Sequence, residues 1–210
     1  MHPTPDIEQH PLLPFLPTEA RILMLGSFPP PQKRWSMNFF YPNLQNDMWR
    51  IMGHLFFGNH NHFVNTAERR FRQAEIERFC TEHGIALYDA ASAVRRLQGN
   101  ASDKFLEVVQ PTDIASLLEK LPLCQAIVTT GQKATDILRT QFNVDEPKVG
   151  THTSFTHNGR PLRFYRMPSS SRAYPLALEK KAEFYRNMME EIGMLSPAAL
   201  RPFSHSRSKD

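Results

Sequence analysis

Gly26-Ser27-Phe28-Pro29-Pro30-Pro31 and Met167-Pro168-Ser169-Ser170-Ser171-Arg172 combine serine hydroxyls, proline-stiffened backbone and a basic side chain. Each follows a short run with strand character: Arg21-Ile22-Leu23-Met24-Leu25 before the first, Leu162-Arg163-Phe164-Tyr165-Arg166 before the second. In open α/β sheets the loops beyond the carboxyl ends of strands form the ligand crevice. Two rigid, polar loops of this kind can pinch one ligand between them. The formal charge of +4 is compatible with an anionic partner without requiring one.

The elements that would carry these loops follow from periodicity and stop signals. Arg21–Leu25 is a buried first strand ended by Gly26. After the aromatic run Phe39-Phe40-Tyr41, Asn46 precedes a helix with Met48, Trp49, Ile51, Met52, Leu55 and Phe56 at helical spacing. A second helix is expected from about Thr66 to His83, with Phe71, Ile76, Phe79 and Cys80 inward and Gly84 as its stop. Ile85–Tyr88 is a second strand ending at Asp89. A helix from Pro111 to Leu121 leads to a third strand, Ala126–Thr130, and Gln132–Phe142 is helical. Two strand stretches within Thr151–Met167 flank Asn158-Gly159, a hairpin turn signal, and a last helix runs from about Leu176 to Ile192. Alternating strands and helices predict a three-layer α/β/α sandwich around a mainly parallel, four-stranded sheet.

One domain is expected over residues 1–195, with 1–18 a proline-rich extended arm and 196–210 a flexible basic tail. No apolar run approaches the ~18 residues of a membrane span, and the N-terminus has no apolar stretch of signal-peptide type. A cytoplasmic monomer without membrane contact is the expectation. Cys80 and Cys124, each in apolar context, read as buried free thiols and are too few for a four-thiolate cluster. His54 with His60-Asn61-His62 has a metal-like look, but no carboxylate or cysteine accompanies it at ligand spacing, so neither metal nor cofactor is expected.

Taken in order, Leu25-Gly26-Ser27-Phe28-Pro29, Phe40-Tyr41 through Gln45-Asn46-Asp47-Met48-Trp49, Gly84–Asp89, Gly131-Gln132-Lys133-Ala134 and Pro168-Ser169-Ser170-Ser171 resemble the motifs of the uracil-DNA glycosylase superfamily. The resemblance covers roughly residues 20–190 and is closest to the hypoxanthine-DNA glycosylase branch. It implies base excision repair: a deaminated base flipped out of DNA, its N-glycosidic bond hydrolysed and an abasic site left. Nucleoid DNA containing a damaged base would be the partner.

The resemblance maps roles onto residues. Asn46 takes the water-orienting position, because Phe28 stands where many relatives carry an acid or amide; the same asparagine is also a favoured helix N-cap. Asp89 stands where uracil-specific relatives use asparagine. An ionised carboxylate only accepts hydrogen bonds, which fits the N1–H of hypoxanthine; the alternative is a cap on whatever follows the strand. Gly26, Ser27, Phe28, Phe40 and Tyr41 would complete the base pocket, although at least two of Phe28, Phe39, Phe40 and Tyr41 should belong to the core. Pro29, Lys133, Ser169, Ser170, Ser171 and Arg172 would grip the DNA backbone, with Arg166 a further candidate; each cation is otherwise a solvated charge. Met167 replaces a donor that several relatives direct at the departing base. Two alternatives stand beside this reading: a catalytically weak or inactive damaged-DNA-binding protein of the same fold, and an α/β hydrolase or transferase acting on a small nucleoside or nucleotide. Neither a P-loop nor a Gly-x-Ser-x-Gly elbow supports the last.

Overall fold

The computed structural model describes residues 5–98 and 103–196. The arm supplies β1 (Ile7–Gln9), and the first apolar run becomes β2 (Ile22–Gly26), every residue of which is buried. Helix α1 (Met48–Phe57) follows; Gly58, at φ 65°, ends it in the left-handed conformation that glycine adopts without penalty. The helix expected from Thr66 starts only at Gln73 as α2 (Gln73–Glu82). The residues before it form a small hairpin, β3 (Val64–Asn65) and β4 (Arg70–Phe71). Phe71 therefore reaches the core from a strand, while Ile76, Phe79 and Cys80 do so from the helix.

Strand β5 (Ile85–Asp89) is entirely buried. It is followed by β6 (Ala91–Arg96) and β7 (Leu106–Pro111) rather than a helix, so Asp89 caps no helix. Helix α3 (Ile114–Glu119) leads to the buried β8 (Ala126–Thr130), then α4 (Gln132–Phe142), the hairpin β9 (Thr151–His157) and β10 (Arg160–Met167), and α5 (Leu178–Glu191).

The central sheet has the order β5-β2-β8-β10-β9, parallel except for β9. It carries five strands where four were expected, because both arms of the Asn158-Gly159 hairpin join it. β2, β5 and β8 are buried throughout, as strands of a parallel sheet covered on both faces must be. Helix α1 packs on α5, α4 on β8 and α2 on β5. A second, three-stranded antiparallel sheet, β1-β6-β7, was not foreshadowed by the alternation of strands and helices. It clamps the N-terminal arm, which is further tied by a bridge between Phe15 and Leu87. The tail expected over 196–210 lies outside the described residues from 197 on.

Candidate functional site

A cavity of about 580 Å³ opens at the carboxyl ends of β2, β5, β8 and β10, within the range of small-molecule sites. Its walls include Gly26, Ser27, Phe28 and Pro29 from the first loop, Tyr41 and Asn46 from the segment before α1, Asp89, and Ser169–Arg172 from the second loop. Chain topology thus joins the two proline-serine loops, 141 positions apart in sequence, at one opening. Phe40 and Lys133 are not among the lining residues.

Gly26 and Asp89 are register partners at the ends of β2 and β5. A Cβ on residue 26 would lie 2.3 Å from Asp89 Oδ1, so only glycine lets the carboxylate cross over this backbone. The other oxygen, Oδ2, is 2.9 Å from His10 Nε2, with the two side chains 2% and 9% exposed. His10 Nδ1 meets Leu12 at both its carbonyl oxygen and its N–H, and the imidazole sits edge-on to Phe28. The arm therefore fixes the floor of the cavity. Nothing local to His10 signals this contact, because its partner lies 79 positions away.

Tyr41 has φ 51°, a left-handed conformation that costs a non-glycine residue roughly 1–2 kcal/mol. The turn sends the ring into the cavity wall, where its hydroxyl shares a 3.0 Å hydrogen bond with Thr130 Oγ1. Burial, reinforced by the nearby Asp89 charge, holds this phenol protonated well above its usual range. Phe40, assigned to the base pocket from sequence, instead belongs to the core at 3% exposure, against Phe39, Tyr88 and His10. Its carbonyl accepts the Trp49 indole N–H at 2.9 Å.

Asn46 Oδ1 accepts the Met48 N–H at 2.9 Å, closing an Asx turn that satisfies one of the free donors at the start of α1. The N-cap position itself is Asp47, so Asn46 supports the helix start from one residue ahead of it. Its amide oxygen keeps a second lone pair, and its amide N–H groups bond to nothing among the described residues. Around it, two segments are stapled: Asp47 N–H donates to Ser170 O at 2.8 Å and Arg172 N–H to Gln45 O at 3.2 Å. Behind the staple, the buried Asp47 carboxylate accepts from Arg172 Nε at 2.9 Å and from Lys181 Nζ at 3.1 Å. Lys181 is fully buried and also donates to Ser171 O at 2.8 Å. Asn46 is therefore held at the seam between the two halves of the site.

The solved structures contain a match to this arrangement of elements. The chain resembles the solution NMR structure of a protein from Methanosarcina acetivorans that is provisionally named a uracil DNA glycosylase. The TM-score is 0.58 and the identity 19%, over 90% of this chain and 99% of that one. The fold is uracil-DNA-glycosylase-like. No family model matches the chain, and no curated protein does.

Within this glycosylase-like fold, the serine loop is less exposed than its sequence suggests. Ser170 is buried. Ser169 Oγ accepts from the Ser171 N–H, and Ser171 Oγ from the Ala173 N–H, so both hydroxyls brace the loop while keeping their own hydrogens to donate. Arg172, with its side chain 49% exposed, is anchored to Asp47 through Nε. Pro29 is buried, its carbonyl held by Arg96. Arg166 is paired with Glu146 at 2.6 Å and so does not face a ligand as a free cation. Met167 is buried in the core.

Asp103 also lines the cavity and was not singled out from sequence. It accepts a 2.7 Å hydrogen bond from Ser27 Oγ. Cys80 and Cys124 are free and buried. His54 stacks near His60 and His62 lies flat on Phe57, and no metal-binding cluster of His, Cys, Asp or Glu occurs among the described residues.

Proposed function

We propose that this chain is a DNA glycosylase that hydrolyses the N-glycosidic bond of a deaminated base, hypoxanthine in preference to uracil, and leaves an abasic site. The observation that carries the proposal is the convergence of Gly26, Tyr41, Asn46, Asp89 and the Ser169–Ser171 loop on one cavity in a glycosylase-like fold. The target base is flipped out of the stack, at a cost of a few kcal/mol, and lies against Tyr41 and Phe28; stacking of this kind contributes ~1–3 kcal/mol per base. Asp89, with Oδ2 tied to His10, keeps Oδ1 as the acceptor for an N–H of the base. Asn46 holds the attacking water through its free amide groups. The Ser169–Arg172 loop meets the phosphates beside the flipped nucleotide. The enzyme acts as a cytoplasmic monomer on nucleoid DNA, without a metal or organic cofactor.

A second reading, a protein that binds damaged DNA without cutting it, draws support from Phe28 and Met167, two apolar and buried residues where the resemblance leads one to expect a water-orienting acid or amide and a donor to the departing base. One assay separates the two. Oligonucleotides, duplex and single-stranded, carrying hypoxanthine, uracil or no lesion are incubated with the protein and treated with alkali. Alkali-labile product at hypoxanthine, reduced about 10²–10⁴-fold in Asn46→Ala, is the expected outcome. Salt-sensitive binding without product favours the binding protein. Absence of both binding and product sinks both readings.

A further inference from the structure

Three carboxylates stand at or directly behind the cavity, and their partners differ. Asp47 is buried between two cations, Arg172 and Lys181. Asp89 is held by the His10 imidazole. Asp103 accepts from the neutral hydroxyl of Ser27 at 2.7 Å, and among the described residues no cation forms an ion pair with it. It is thus the one carboxylate of the three with no basic side chain bonded to it among the described residues.

Resting on the glycosylase reading above, we propose that Asp103 is the general base of the reaction, the group that takes the proton of the attacking water. The carboxylate reaches the Gly26–Pro29 loop from the 3-10 turn Asp103–Phe105 ahead of β7, beside the apolar Phe28. That loop, which carries no acid of its own, receives one from elsewhere in the chain. Burial raises the proton affinity of Asp103, and the Asp89 charge adds to the effect. The Ser27 hydrogen bond and the more distant Lys133 and Arg96 oppose it, and the net direction is upward. A carboxylate of raised basicity accepts a water proton more readily than one locked in an ion pair.

The step balances as follows. The water oxygen bonds to C1′ while the N-glycosidic bond breaks, and that bond's electron pair leaves with the base. One water proton passes to the Asp103 carboxylate, and the other stays in the new C1′ hydroxyl. The departing base anion takes a proton from solvent, and Asp103 later releases its own to solvent.

Single-turnover release of hypoxanthine by the full chain, followed against pH, tests this. In Asp103→Asn the rate should fall about 10²–10⁴-fold, with oligonucleotide affinity unchanged within a few-fold and the acid limb of the profile gone. In Ser27→Ala the hydrogen bond that lowers the Asp103 pKa is removed, so the acid limb should move to higher pH. Wild-type protein that releases no base overturns the glycosylase reading and this role with it. Wild-type activity with an Asp103→Asn rate within about threefold and an unchanged profile overturns the Asp103 role alone. Should Asp103→Asn fail to fold by circular dichroism, an acid limb that stays in place in Ser27→Ala overturns it instead.

Discussion

His10 Nε2 lies 2.9 Å from Asp89 Oδ2, joining an N-terminal arm to the end of a central strand across 79 positions of sequence. Both side chains are almost wholly removed from solvent, so each would leave an unsatisfied polar group if the other were lost. The anchoring of the arm and the position of a cavity-lining carboxylate therefore share one contact.

Replacing His10 by alanine should lower stability by about 1–3 kcal/mol, the cost of leaving a buried acceptor without its donor. The preference for hypoxanthine over uracil should narrow about tenfold, equivalent to ~1.4 kcal/mol, because the carboxylate is then free to rotate. His10→Gln, which can again present an N–H, should restore part of both. Urea unfolding and paired excision rates check the outcome; a His10→Ala protein with unaltered base preference would refute the link.

Gly26→Ala places a methyl group 2.3 Å from Asp89 Oδ1, at a point where backbone pairing of β2 with β5 prevents retreat. The carboxylate must swing away, at a cost of about 1–3 kcal/mol. Removing the obstacle in Gly26→Ala/Asp89→Ala should make the double variant more stable than the sum of the single changes, by about 0.5–3 kcal/mol. A double-mutant cycle in urea measures the difference; strict additivity would show that the clash is relieved elsewhere.

Lys181→Met leaves the buried Asp47 with only the half-exposed Arg172. Loss of a buried partner of this kind costs about 3–5 kcal/mol, and Asp47→Asn in the same chain should recover part of it. Arg172→Ala should cost under about 1 kcal/mol, since solvent screens that arm of the cluster. Thermal and urea midpoints distinguish these cases.

Burial raises the Cys124 thiol to about 11 and moves Cys80 upward as well. At pH 8 the folded protein should leave both thiols unreacted with a disulfide reagent, and denaturation should expose two. An unfolded thiol loses its proton near about pH 8.5, before the folded one does. The unfolded state then binds fewer protons, so stability should fall as pH rises above that point and be fully present below it. Rapid thiol labelling of the native protein would contradict this burial.

Local pattern made β2, β5, β8 and α4 legible within a residue or two, because a fully buried strand must be apolar along its length and a glycine or loop must end it. The same reasoning failed over 66–72, where Phe71 reads as an inward residue of one helix with Ile76 and Phe79 but lies on a strand paired with Val64. Phe40 and Tyr41 were inseparable as adjacent aromatic residues. The positive φ of Tyr41 directs one ring to the cavity and leaves the other in the core.

The amino-acid order by itself determined the alternation of strands and helices in the central sheet and the two proline-serine loops at strand ends, since each is written in neighbouring residues; the resemblance of its ordered motifs singled out Asn46 and Asp89. Only the tertiary structure decided that His10 holds Asp89, that Ser27 holds Asp103, and that Lys181 and Arg172 hold Asp47. Those pairings join polar groups brought together by chain topology. Polar groups buried far apart in sequence must find partners, but no local periodicity states which ones.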